Sequence, residues 1–310
     1  MELRILILLA AAVLLGSCTK EVKIAIPGYQ NQLVVDGSIR DGEPPIVLLS
    51  TTQNIYAPTD ISSYLSSFVS DAVVSVSDGT TTVQLIQICT DNLPPGTEAY
   101  AEAIFGLPID QLQQLHLCVY TSIDPSIFGQ IGKTYSLTIN HGGKTYTSST
   151  TLESPSSLGY LKWKAQPNNS TYGYLYGFLN DNPNHNDAYM WELKYLSDGF
   201  FTKPFGPYFN DQFFNGLSFE FTAYNPMSYA DTAVANSSNA GFFHLGDTVV
   251  YRLSKMGQKE FQFFDKKTNQ LFSAGSPFAT PINVPSNISG GALGVWAGFS
   301  SWYDTVICQP

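Results

Sequence analysis

Charge is scarce in this sequence: only 13% of its 310 residues are Asp, Glu, Lys or Arg, about half the share usual in a soluble domain. Lys and Arg number 15 against 25 Asp and Glu, for a formal net charge of −10. Binding a phosphate backbone takes clustered cations, so nucleic acid is excluded as a partner. Histidine and cysteine are scarce too, four of each. His116, His141, His185 and His244 stand singly, without the His-x-Glu or His-Glu-x-x-His spacings that put two ligands on one metal. No metal and no cofactor is expected. No Gly-x-Ser-x-Gly elbow raises a serine nucleophile, so no catalytic residue is assigned and the protein is expected to be non-enzymatic. Gly132-Lys133-Thr134 falls short of a phosphate-binding loop, because Ile127 stands where the first glycine belongs and a strand follows. That segment reads as a turn. Beyond the amino terminus no apolar run is long enough to cross a bilayer.

What is abundant is apolar and aromatic: 44% hydrophobic and 14% aromatic residues, with 25 Gly and 18 Pro. That mixture excludes disorder and describes short strands joined by tight turns more than a helical bundle. A mainly β protein of two domains is expected from composition and length.

Met1 to Gly16 carries one Arg and then an unbroken apolar run from Ile5, which has the form of a secretory signal. The run closes on Leu15-Gly16-Ser17-Cys18, which looks like a bacterial lipobox. Residues 1–17 are then a lipoprotein signal peptide, Cys18 is lipidated, and 18–30 is a tether. At about 0.8 kcal/mol per buried methylene, a three-chain anchor holds stably on a membrane. Thr19, in place of the Asp that retains enterobacterial lipoproteins in the inner membrane, points by that resemblance to the outer membrane. Lys20-Glu21 weakly resembles an acidic surface-export signal, so outward display is favoured while a periplasmic location stays open. Export permits disulfides. Cys89 and Cys118 lie in strand-like runs of the same half and are the expected pair, leaving Cys308 free; three buried reduced thiols are the alternative.

Strands come regularly after the tether. Leu33–Ile39, Ile46–Thr51, Ala72–Ser77, Thr81–Ile86, Tyr135–Ile139 and Lys144–Leu152 alternate β-branched and polar residues. Asp78-Gly79 and Asn140-His141-Gly142-Gly143 between neighbouring runs are hairpin signals. These runs match an immunoglobulin/transthyretin-like β-sandwich over 31–153, with short helical insertions at Ile61–Phe68 and Pro108–Leu115. A polar break at Glu153–Ser157 precedes a second, aromatic-rich β domain, 158–310. Its strands are expected at Tyr160–Ala165, Tyr172–Asn180, Tyr189–Leu196, Leu217–Tyr224, Asp247–Ser254 and Ala292–Ser300. Its one helix, near 255–271, should present Phe261, Phe264, Thr268 and Leu271 to the sheet.

Several strings carry a resemblance: LVVDGSI followed by Gly-Glu-Pro-Pro, GKTYSLTI, GGKTYTSSTTL, HLGDTVVYRLS, and above all Pro277–Ser300 with Asn283, Pro285–Asn287 and Gly290-Gly291. Together they resemble a Bacteroidetes outer-membrane lipoprotein family known only as a domain of unknown function (4249). Where that family more often has a Tyr-Phe pair, this chain has Val295-Trp296-Ala297, read as a change of aromatic in a core strand. The resemblance implies a gene neighbourhood with TonB-dependent receptors and brings no catalytic residues.

Three further segments bear on chemistry. Asp181 to Asp187 gathers oxygen donors that could bind calcium, but it lacks the spaced Gly and closing Glu of a calcium loop, and the turn that such a run forms between two aromatic strands is the stronger reading. Gly199–Gly216 carries Phe200, Phe201, Phe205, Tyr208, Phe209, Phe213 and Phe214, too apolar to lie bare in water. Either it is buried or it docks a partner, and Phe205, Tyr208, Phe209, Phe213 and Phe214 are the interface candidates. Asp231-Thr232-Ala233, Asp247-Thr248-Val249 and Asp304-Thr305-Val306 resemble Bacteroidetes O-glycosylation sites, with Thr232 the most accessible. The function expected is an outer-membrane lipoprotein that captures ligand for, or assists, a TonB-dependent receptor. A structural or assembly factor of the outer membrane or cell surface is the second reading, and a cell-surface hydrolase the third.

Overall fold

A computed structural model describes residues 30–53, 65–229, 232–273 and 282–310. The signal peptide, Cys18 and its tether up to residue 29, and residues 61–64 of the insertion expected at 61–68 lie outside them. The first half contributes strands β1 (Leu33–Arg40), β2 (Ile46–Thr51), β3 (Val73–Ser77), β4 (Thr82–Gln84) and β5 (Ile86–Cys89), then helices α1 (Glu98–Phe105) and α2 (Ile109–Leu112), then β6 (Cys118–Thr121), β7 (Thr134–His141) and β8 (Lys144–Thr151). The second contributes β9 (Leu158–Gln166), β10 (Asn169–Asn180), β11 (Ala188–Tyr195), β12 (Tyr208–Asn210), β13 (Ser218–Ala223), α3 (Thr232–Ala235), β14 (Phe243–His244), β15 (Thr248–Met256), α4 (Gln258–Ser273) and β16 (Leu293–Ile307). The protein is mainly β, as its composition required. The first half also forms α1, which the strand pattern did not announce: an Ala- and Glu-rich turn sequence that Gly106 ends in the left-handed conformation.

Three sheets are formed among the described residues. One has eight strands in the order β12-β11-β15-β16-β1-β2-β6-β5; β4-β3-β7-β8 and β13-β10-β14, with β9 on β10, have four each. The polar break at 153–157 separates the two four-stranded sheets, yet strands from both sides of it share the eight-stranded one. The joint is a parallel pairing of β1 with β16, from Val34 against Leu293 to Arg40 against Phe299.

Alternation along β16 sorts the molecule into layers. Trp296 faces a core with Val35, Ile39, Leu137 and Ile139, while Trp302 and Val306 on the same face meet a second core with Leu175, Tyr251 and Phe243. Each four-stranded sheet covers one of these cores. On the opposite face Val295, Ala297 and Phe299 pack with Met190, Phe263 and Phe264 beneath α4. That helix buries Glu260 and Phe263, and Leu271 is 66% exposed. Of the expected stripe, Phe261 and Phe264 pack on the sheet, while Leu271 is corrected to an exposed position; the buried face extends to Phe263 and to Glu260, whose carboxyl accepts a hydrogen bond from Thr150 at 2.7 Å.

Local signals hold where backbone geometry demands them. Gly142 and Gly143 both take positive φ in the two-residue turn between β7 and β8, where His141 pairs with Lys144. Trp296 is fully buried, with its indole N–H on the Tyr135 carbonyl at 2.9 Å. Its backbone is bracketed by Asn287, whose side chain accepts from Trp296 N and donates to Trp296 O, both at 2.9 Å. Two residues earlier Gly294 has φ +110, and a Cβ there would stand 1.8 Å from the Val35 carbonyl oxygen. Gly294→Ala should therefore lower unfolding free energy by about 3 kcal/mol or more. Leu271→Ala, at an exposed position, should change it by less than about 0.5 kcal/mol, both measured by urea denaturation.

Candidate functional site

The face of the eight-stranded sheet beside α4 carries two arginines whose side chains are each 12% exposed. Glu192 on β11 lies directly opposite Arg252 on β15, and its carboxylate accepts from Arg252 at 2.7 and 2.8 Å. Arg40, at the end of β1, reaches the same oxygen at 3.6 Å. Its other amine donates to Ser254 and Ser301, each at 2.6 Å. Glu192 is 3% exposed. Burial alone would raise its pKa, but the charges of Arg252, Arg40 and Lys203 outweigh that and hold it below the ordinary range. Two guanidiniums thus share the Glu192 carboxylate, and Arg40 has a second acidic partner in Glu43 at 3.9 Å.

Above this floor lies a cleft of about 360 Å³. Tyr100 and Ile104 of α1 form one side; Phe200, Phe201 and Lys203 of the following loop, with Tyr208 and Phe264, form the other. Phe201 covers the Arg252 guanidinium at 3.8 Å and Phe299 lies 5.0 Å from that of Arg40, cation–π contacts that hold both groups in place. Tyr208 stacks on Phe264 at 4.8 Å, and burial pushes its phenol above the usual tyrosine range. A polar floor between aromatic walls is the usual construction of a small-molecule site.

The aromatic loop is partly buried and partly exposed. Tyr208, Phe209 and Phe214 turn inward; Phe209 stacks on Tyr189 and meets Phe214, and these two also line an apolar cavity of about 240 Å³ with Trp191, Phe219 and Phe221. Phe205 is 68% and Phe213 88% exposed. Phe205 lies beside Tyr229 and Phe272, both exposed.

The carboxylates of the 181–187 turn are taken up by protein donors. Asp181 accepts from Gly216 N–H at 2.8 Å and from the Tyr189 hydroxyl at 3.2 Å. Burial raises its pKa. Asp187 accepts from Tyr189 at 3.0 Å, from His185, and from Lys255 at 2.6 Å. Glu153, His185 and Asp187 converge closely enough to hold a metal, but the Lys255 ammonium already occupies their centre, 3.6 Å from Glu153. Thr232 is exposed at the start of α3, whereas Thr248 and Thr305 are paired within β15 and β16. Gly132-Lys133-Thr134 is a turn into β7, with Lys133 on Asp78 at 2.7 Å. Cys89 and Cys118 are disulfide-bonded, and Cys308 is free and buried.

Arg40, Glu192 and Arg252 escaped the sequence reading. A signal was there, since each sits in a mainly apolar strand that carries one further charge, Asp36 in β1, Lys194 in β11 and Lys255 in β15, and charge is seldom buried without a partner.

A family profile described as "Domain of unknown function (DUF4249)" matches residues 19–301. The chain belongs to the DUF4249 family. No curated protein matches it. In this DUF4249 chain the matched segment covers every residue of the cleft.

Removing one partner of a buried ion pair leaves a charge uncompensated. Glu192→Gln should therefore cost about 3 kcal/mol, while Glu192→Met with Arg252→Met should cost less than the two single changes added together, read from denaturation midpoints. Because the folded-state pKa of Glu192 is depressed, its contribution is present above the ordinary glutamate range and lost as pH falls through the folded value. The decline of stability on acidification should accordingly be shallower in Glu192→Gln than in the parent protein.

Proposed function

We propose that this protein is a lipid-anchored, ligand-capturing lipoprotein of the outer membrane that hands its cargo to a TonB-dependent receptor. The observation that carries the capture role is the cleft floored by Arg40, Glu192 and Arg252. Its lining sets Arg40, Arg252 and Lys203 beside Asp36, Glu43 and Glu192, a charge-balanced floor that suits a polar ligand group able both to donate and to accept hydrogen bonds. Its aromatic walls suit a ring or apolar portion. The exposed Phe205 and Phe213 lie on the loop whose other residues form the cleft wall, so a partner docked there would sit beside the ligand. Anchoring rests on the Leu15–Cys18 junction, and the association with a receptor on the family resemblance.

The test is a mild-detergent pull-down of the tagged protein from native outer membranes, with mass spectrometry of what accompanies it. A TonB-dependent receptor should be recovered at near-equal amount, and Phe205→Ser with Phe213→Ser should reduce that recovery. Recovery alone, or with assembly or secretion proteins, overturns the reading in favour of a structural factor. In parallel, Cys18→Ser should abolish incorporation of a clickable palmitate analogue and release the protein from the membrane fraction.

A further inference from the structure

The disulfide between Cys89 and Cys118 has a neighbour that a simple cross-link does not need. The two cysteines face each other directly across β5 and β6, at the edge of the eight-stranded sheet. His116, two residues before Cys118, places Nε2 3.5 Å from the Cys118 sulfur. Its other ring nitrogen, Nδ1, lies 2.8 Å from the Asp91 carboxylate. An ionised carboxylate only accepts, so Nδ1 carries the hydrogen and the Nε2 lone pair points toward the sulfurs. The two residues are held in register by Thr90, which is buried. Its N–H donates to the Leu117 carbonyl at 2.9 Å, and its hydroxyl accepts from Leu117 N–H at 3.1 Å and donates to the Leu115 carbonyl.

We propose that Cys89, Cys118 and His116 form a metal site gated by the redox state of the disulfide, taking Zn²⁺ or another thiolate-seeking ion when the cysteines are reduced. One ligand atom from each of the three lies within 4.8 Å of the others, and two thiolates with one imidazole suit such an ion. Asp91 supplies the carboxylate that orients a metal-bound imidazole and raises its basicity. His116 is 64% exposed, so solvent can fill the fourth position. The chemistry balances in two steps. A dithiol reductant breaks the S–S bond, giving two protein thiols and leaving the reductant as a disulfide. Binding of Zn²⁺ then displaces two thiol protons to solvent and forms two Zn–S bonds and one Zn–N bond. In the oxidised protein both sulfurs are committed to each other and the set is incomplete. The Glu153–His185–Asp187 cluster has no such gate, because Lys255 holds its centre. None of these residues lines the cleft, and the site stands independently of the ligand proposed there.

The experiment uses the purified protein before and after treatment with a dithiol reductant, which is removed anaerobically before equilibration with Zn²⁺. Metal is counted by plasma mass spectrometry and affinity measured by competition with a chromophoric chelator. About one zinc per reduced chain and none on the oxidised chain is expected. Cys308→Ser should leave this unchanged, His116→Ala should weaken binding at least tenfold, and Asp91→Asn about 10–100-fold. No stoichiometric zinc on the reduced chain, or equal affinity in His116→Ala, overturns the proposal. Far-UV circular dichroism follows the same samples: a reduced chain that has lost its β spectrum must regain it with zinc, and failure to do so also counts against the site.

Discussion

The pairing of β1 with β16 is the constraint on which the other parts depend. It is parallel, it joins the first described strand to the last, and it cannot form until the whole intervening chain is present. Closing so long a loop costs entropy that only extensive burial offsets. That burial is supplied by Trp296, which fills the space over Gly37 on the neighbouring strand; a Cβ on Gly37 would come within 2.9 Å of the indole ring. The Asn287 side chain completes the hydrogen bonding of the Trp296 backbone on the side away from β1. A strand buried on both faces and bonded at both edges leaves no freedom of register, because a one-residue slip would carry Trp296 to the α4 side and Phe299 into the core.

From that register the placement of charge follows. Odd residues of β16 and even residues of β1 and β15 share the face that α4 and α1 overhang, so Arg40, Arg252, Ser254 and Ser301 meet there and nowhere else. On the other face Lys255 falls between the two apolar cores, where it pairs with Asp187 and Glu153. A chain with few charges thus places several of them inside, satisfied by opposite charges, hydroxyls or backbone N–H groups. The surface carries others, such as Asp71, Lys162 and Lys266, together with exposed aromatics such as Phe205 and Phe213.

Much of the strand inventory was legible. Period-two runs located β1, β2, β3, β7, β8, β10, β11, β13 and β15 closely, and Asp78-Gly79 and Gly142-Gly143 marked hairpins that formed. Cys89 and Cys118 stood in candidate strands, but only a register that sets them opposite each other turns two thiols into a disulfide. On α4 the spacing placed Phe261 and Phe264 on the sheet, where they lie, but it did not show that Leu271 would be exposed or that Glu260 would be buried against Thr150, far away in sequence. The cleft was legible only as charges set in apolar strands; that Arg40, Glu192 and Arg252 meet is decided by the pairing of strands distant in sequence.

What the sequence determined by itself is therefore local: where strands run, where the chain turns, which residues want burial, and the signal-like junction at Cys18. Those properties depend on backbone preferences and side-chain polarity within a few residues. Tertiary structure alone decided which strands pair, that both halves share one sheet, and which lone charges and thiols meet. Partner choice is settled by burial and hydrogen bonding summed over the whole chain, and a single residue at its own position carries no record of that sum.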